Sequence, residues 1–192
     1  MRKNIVLTGV GGQGTVLASK LIAAAAMKKG LTVMSAETIG MAQRGGSVFS
    51  HLRIGEGTHS PMIAKGEADL ILGFEPAETV RMLPYLKPDG QVVTAMRSVM
   101  PVTAALAGGN YRAEDMLDYL RTKVKNLLIV DTDEAVKALG KPKVVNVVLL
   151  GAALASGVLG LTEDELKDVI RDRLPEKLHE INFRALAYMK SS

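Results

Sequence analysis

Asn4-Ile5-Val6-Leu7-Thr8-Gly9-Val10-Gly11-Gly12-Gln13-Gly14-Thr15 is the stretch on which the fold turns. Asn4 to Thr8 is a short apolar run of the length of a buried strand. Gly9, Gly11 and Gly14 follow in G-x-G-x-x-G spacing. Gln13 to Lys29, rich in alanine and leucine, then reads as a helix. Lys28 and Lys29 in its last turn and Gly30 just beyond suit a helix end. Leu31 to Ser35 reads as a second strand, so a strand, glycine turn, helix and strand fit within about 35 residues, the size of one βαβ unit.

Glycines at such a turn let the backbone bend tightly and approach a diphosphate, while free N–H groups of the helix start face the anion. Two readings of the turn stand: phosphate or nucleotide-like binding, and a purely structural bend. A P-loop needs a lysine directly after its last glycine, and Thr15 occupies that place, which argues against nucleotide hydrolysis. A dinucleotide site needs an acid at the end of the second strand, and Glu37 lies near it. A stand-alone nicotinamide-dependent dehydrogenase is therefore one alternative, and a non-enzymatic nucleotide-binding module is another.

Beyond the first unit, Ala36 to Gly46 is a polar, glycine-bearing loop, and Ser47 to Ile54 reads as a strand before the Gly55–Gly57 turn. Leu70 to Phe74 is a strand, followed by a helix that opens at Pro76 and ends by Pro84. A Pro88-Asp89-Gly90 turn leads into the strand Gln91 to Ala95. Glu114 to Thr122 reads as a helix and Leu127 to Val130 as a strand. Asp131 and Glu134 are spaced as a cap for a helix running to Leu139. Three helices close the chain: Val144 to Leu159, one opened by the Thr162/Glu165 capping box and broken at Pro175, and Glu176 to Lys190. Strands alternating with helices predict a Rossmann-like three-layer α/β/α fold with a mostly parallel sheet and C-terminal helices, in one domain over 1–192.

The chain has 192 residues and no cysteine, which removes disulfides, thiolate–zinc sites, cysteine nucleophiles and cysteine-held iron–sulfur clusters together. A net charge of +4 is scattered, and without tryptophan or an aromatic-laced basic run it gives a nucleic-acid partner no support. Val144 to Leu161 is the most membrane-like segment, but Asn146, Ser156 and its glycines point to a buried helix, so no membrane span is expected. His51 and His59 read as ordinary strand or loop histidines, and Asp131 as a helix cap. Asn146, alone in an apolar helix, must find partners there. No catalytic acid, base, nucleophile or metal ligand is assigned.

The loop after the second strand carries Glu37-Thr38 and then Gln43-Arg44-Gly45-Gly46-Ser47. Taken with Gly9-Val10-Gly11-Gly12-Gln13-Gly14-Thr15, with the later Asn146 to Gly151 stretch and with the closing helices, it resembles the gamma-type subunit of 2-oxoacid:ferredoxin oxidoreductases along the whole chain, most of all the small (beta) subunit of the indolepyruvate type. The resemblance implies an enzyme that turns a 2-oxoacid, here an arylpyruvate, with coenzyme A and oxidised ferredoxin into an acyl-CoA, carbon dioxide and reduced ferredoxin. It implies a cytoplasmic hetero-oligomer, with two copies of each subunit as one arrangement. In such an assembly a large partner subunit holds thiamine diphosphate, magnesium and iron–sulfur clusters and meets ferredoxin. This chain has neither cysteines nor a G-D-G followed by a downstream asparagine, so the resemblance leaves it binding and shaping. Gly9, Gly11, Gly12, Gln13, Gly14 and Thr15 are then expected to face the partner's cofactor cavity and coenzyme A. Glu37, Gln43, Arg44, Gly45, Gly46 and Ser47 are expected beside them, with Arg44 receiving phosphate or carboxylate.

Overall fold

Period-two alternation along the strands decides which layer each residue joins. In β1 (Lys3–Val10), Ile5 and Leu7 face one core while Val6 faces the other. In β4 (Ala68–Gly73), Leu70 and Leu72 share the first face and Ile71 the second. The same division holds for Val93 and Val92 in β5 (Leu86–Ala95) and for Leu128 and its neighbours Leu127 and Ile129 in β6 (Asn126–Val130). A computed structural model describes residues 1–38, 46–57, 59–99 and 111–191.

With β2 (Val33–Glu37) and β3 (Ser47–Ile54) these strands form one sheet in the order β2-β3-β1-β4-β5-β6. β1, β4, β5 and β6 pair parallel, and β3 runs antiparallel to both of its neighbours. The first face is covered by α1 (Thr15–Lys28), α4 (Thr132–Leu139), α5 (Val145–Ala155), α6 (Glu163–Arg173) and α7 (His179–Ser191). The second carries α2 (Pro76–Met82) and α3 (Ala113–Lys123), with Ile63 from the connecting loop. This is the expected three-layer arrangement.

Local chemistry explains the element ends. The Asp131 carboxylate accepts from the N–H groups of Asp133 and Glu134, at 3.0 and 2.9 Å, and starts α4. The Thr162/Glu165 capping box is formed in both directions at α6. Nine consecutive residues of α5, Asn146 to Leu154, are buried, as a helix apolar on all sides must be inside a protein. Among the described residues no helix is long and apolar enough to cross a membrane. α5 stops at Ala155 rather than Leu159 because Gly157 takes a left-handed φ of 74°.

Two boundaries differ from expectation with consequences. β2 lies later than Leu31 to Ser35, so Glu37 is its last residue rather than part of the loop. β5 begins at Leu86, so Pro88-Asp89-Gly90 lies inside a strand, where the register against β4 slips between Ala68 and Leu70. Proline and glycine are tolerated in a strand at such an irregularity.

His51 on β3 is fully buried on the second face, between the rings of Phe49 and Tyr85 at 5.5 and 5.1 Å. Its Nδ1 accepts the Ile63 N–H at 3.0 Å, so the neutral ring carries its proton on Nε2. Burial lowers its pKa below the ordinary 6.5. The unfolded chain therefore binds this proton at higher pH than the folded one, and stability is full above 6.5 and declines as pH falls from there toward the folded value. His51→Asn, which keeps an acceptor for Ile63, is expected to flatten that part of the profile of urea midpoint against pH. A second expectation concerns α5 against α7, where a Cβ on Gly151 would overlap the backbone carbonyl of Leu186. Gly151→Ala should destabilise the protein by about 1–3 kcal/mol with an unchanged denaturant slope, read from urea unfolding.

Candidate functional site

Parallel strands bring the carboxyl ends of β1, β4, β5 and β6 to one rim, joined by the end of β2 and the start of β3. At β1 the connections diverge: α1 carries the chain toward β2, while β4 lies on the other side. Such a crevice is where open α/β sheets bind ligands.

The glycine turn fills it. Gly9 and Val10 still belong to β1, paired with Val48 and Ser47 of β3. The Gln13 carboxamide then ties two strand ends together: its Oε1 accepts the Val10 N–H at 2.7 Å, and its Nε2 donates to the Phe74 carbonyl at 2.9 Å. Gly9 is required by this arrangement, because a Cβ there would sit 2.6 Å from Gln13 Oε1 and 2.8 Å from Phe74 Cβ. Gly12 and Gly14 take φ of 98° and 82°, and Gly14 is the N-cap of α1. The first turn of α1 holds no acidic residue and its cap has no side-chain hydrogen bond, which leaves helix-start N–H groups free of an internal anion.

The second loop comes back to the same place. The Gly11 N–H donates to the Gly46 carbonyl at 2.9 Å. Gln43, Arg44 and Gly45 lie outside the described residues. Ser47 donates to Glu78 Oε2 at 2.5 Å, and Glu78, mostly buried on α2, also meets Arg81 at 3.2 Å. Beside it the buried Glu75 carboxylate caps α2 by accepting the Glu78 N–H at 3.0 Å and receives the Tyr111 hydroxyl. Burial, and after it the bond to Glu75, pushes the Tyr111 pKa up, so the phenol stays a neutral donor.

Two cavities flank the turn, and both touch Gly12 and Gly14. One, of roughly 470 Å³, is bordered by Gly11, Thr15, Lys20, Glu37 and Thr38. The other, of roughly 500 Å³, has an apolar floor of Leu17, Phe74 and Val145. Its polar wall is Arg97, Asp133, Lys143 and Asn146, with Arg97 and Asp133 paired at 3.1 Å. Asn146, buried in α5, donates to the Gly14 carbonyl at 3.4 Å. Its isolation in an apolar helix was the one signal in the sequence for this wall, whereas Arg97, Lys143 and the Glu75–Glu78 pair carried none.

Glu37 does reach the rim, but β3 lies between its strand and β1. Strands are about 4.8 Å apart, so Glu37 stands one strand spacing farther from the glycine turn than the ribose-binding acid of a dinucleotide fold. Among the described residues no group of three or more histidines, cysteines, aspartates or glutamates is placed to hold a metal.

Residues 4–189 match the family described as pyruvate ferredoxin/flavodoxin oxidoreductase. The chain is 37% identical to indolepyruvate oxidoreductase subunit IorB of Thermococcus kodakarensis, covering 95% of this chain and 91% of that protein. It is 35% identical to the subunit of the same name from Archaeoglobus fulgidus, covering 97% and 92%. In fold it is similar to 2-oxoglutarate:ferredoxin oxidoreductase from Magnetococcus marinus, solved with 2-oxoglutarate, coenzyme A and succinyl-CoA bound. That likeness has a TM-score of 0.72 at 20% identity and covers 99% of this chain and 30% of that one. A cysteine-free α/β chain with paired glycine loops at one rim, matched over nearly its full length, belongs to the pyruvate ferredoxin/flavodoxin oxidoreductase family.

Proposed function

We propose that this chain is the small subunit of an indolepyruvate-type 2-oxoacid:ferredoxin oxidoreductase, a single domain over 1–192 whose rim completes the active-site cavity of a large partner and receives coenzyme A. The observation that carries the reading is the Gly11 to Gly46 hydrogen bond, which sets the two glycine-bearing loops side by side. Family membership makes it an oxidoreductase subunit, and the names of its relatives favour arylpyruvates as substrates.

The chemistry divides between the two chains. Thiamine diphosphate and iron–sulfur clusters, held with magnesium by the large subunit, supply decarboxylation and the path of electrons to ferredoxin. This chain has no cysteine with which to ligate a cluster. Its residues fit a phosphate-bearing co-substrate instead. The Gly12–Gly14 turn allows close backbone approach, the start of α1 offers N–H groups, and Lys20 and Arg44 supply positive charge. Glu37 borders the same cavity as Lys20 and opposes its charge. Ser47, tied to Glu78, anchors the returning end of the Gln43–Gly46 loop against α2. Such an assembly, with ferredoxin meeting the large subunit, belongs in the cytoplasm.

Two measurements test the reading. An affinity tag on this chain should co-purify a large cysteine-rich, thiamine-containing subunit. Arylpyruvate oxidation with methyl viologen should need both chains, and NAD-dependent turnover by this chain unaided would overturn the assignment. In the reconstituted complex, Arg44→Ala should raise the KM for coenzyme A by about tenfold or more with kcat nearly unchanged, the loss of one charge-assisted phosphate contact. A coenzyme A KM left at the wild-type value would remove Arg44 from the site.

A further inference from the structure

The two edges of the sheet differ in a way that bears on assembly. β2, at one edge, ends on Glu37. β6, at the other, reads Asn-Leu-Leu-Ile-Val and holds no charge between Asn126 and Val130. Its Leu127, Leu128 and Ile129 are only half-buried, unlike the fully buried apolar residues of β4. Protected edges carry a charge, a proline or a bulge within the strand, and β6 has none of these.

The hydrogen-bond phase of β6 is set by its inner neighbour. Met96 N–H donates to the Val130 carbonyl at 2.8 Å, and Ala95 and Val130 are register partners. In a parallel ladder this turns the backbone groups of Val130, Leu128 and Asn126 toward β5 and those of Ile129 and Leu127 outward. Among the described residues no turn, cap or side-chain hydrogen bond takes up the Leu127 or Ile129 backbone. An antiparallel strand meeting this edge exchanges bonds with these two residues.

We infer that the strand that meets it is β6 of a second copy of this chain, paired antiparallel about a twofold axis at Leu128. In that register Leu127 exchanges both backbone bonds with Ile129 of the second copy, and the reciprocal pair does the same. Leu128 faces its own counterpart, and Lys125 stands directly opposite Asp131 in both halves. Shifting the axis to Leu127 or Ile129 also keeps the bonding phase, but sets Lys125 opposite Ile129, or Asp131 opposite Leu127. The opposite charges in those registers would have to come from Lys123 or Asp133, which lie in helices, so only the Leu128 axis draws a complementary pair from outside them. Lys125 is free to turn to this contact, because its present partner Asp89 is 82% exposed and the pair is of the solvated kind that contributes little. Two sheets joined in this way make one continuous sheet whose two ligand rims face opposite ways, an arrangement that accommodates a complex with two of each subunit.

The chain's lack of cysteine makes the test direct. Light scattering of the full chain over a concentration series should show a species of twice 20.4 kDa. Leu128→Cys should form a reducible covalent dimer on mild oxidation, in the free chain and in the complex with its large subunit, while Lys65→Cys, remote from β6, should not. Lys125→Glu, with an unchanged circular dichroism spectrum, should weaken the dimer about tenfold by turning two opposite-charge pairs into like-charge ones. A mass of 20.4 kDa at every concentration would overturn the inference, as would cross-linking of Lys65→Cys as readily as Leu128→Cys. None of these readouts depends on which substrate the complex uses.

Discussion

The Gln13 carboxamide holds the site together. One end satisfies the Val10 N–H where β1 stops, and the other satisfies the Phe74 carbonyl where β4 stops. The backbone pairing of the two strands ends with the Phe74 N–H donating to the Thr8 carbonyl at 2.8 Å, and the Gln13 amide extends the link from there to Val10. The bridge needs space that only a glycine at position 9 leaves. With the strand ends locked, the turn through Gly11, Gly12 and Gly14 projects between two cavities, and Asn146 steadies its far end from α5. Gln13 is thus a brace of the site more than a ligand group, since both ends of its amide are engaged within the chain.

A second brace comes from the opposite face. Glu75 and Glu78 are buried carboxylates at the start of one short helix, an arrangement that is unfavourable unless each is satisfied. Glu75 is satisfied by the Glu78 N–H and the Tyr111 hydroxyl, and Glu78 by Ser47 and Arg81. The two acids therefore fasten the chain on either side of the rim, at Ser47 and at Tyr111. A rim built to present backbone groups to a charged co-substrate needs such fixed supports, because the entropy of ordering a loop would otherwise be taken from binding.

The layers also divide the labour. Among the described residues, five helices on one face bury the large core around α5, while α2 and α3 cover the other with fewer apolar side chains. The rim lies where both layers end, which leaves it open toward a partner without disturbing either core.

Much of this was written in the sequence as local chemistry. The strand, glycine turn and helix at the N-terminus, the Asp131 cap, the Thr162/Glu165 box and the burial of the Val145 helix all follow from contacts within a few residues, and those contacts are encoded by spacing. The paired glycine motifs likewise carried the family. The direction of β3 and its place between β1 and β2 were not legible, because a strand reads the same in either direction and its partner is chosen by burial across the whole sheet. That choice moved Glu37 one strand away from the turn. Nor could spacing show that Gln13 spends its amide on Phe74, sixty-one residues on, or that Arg97, Lys143 and Glu78 gather at the rim. Such meetings depend on where parallel strands end in space, and only the packed sheet decides that.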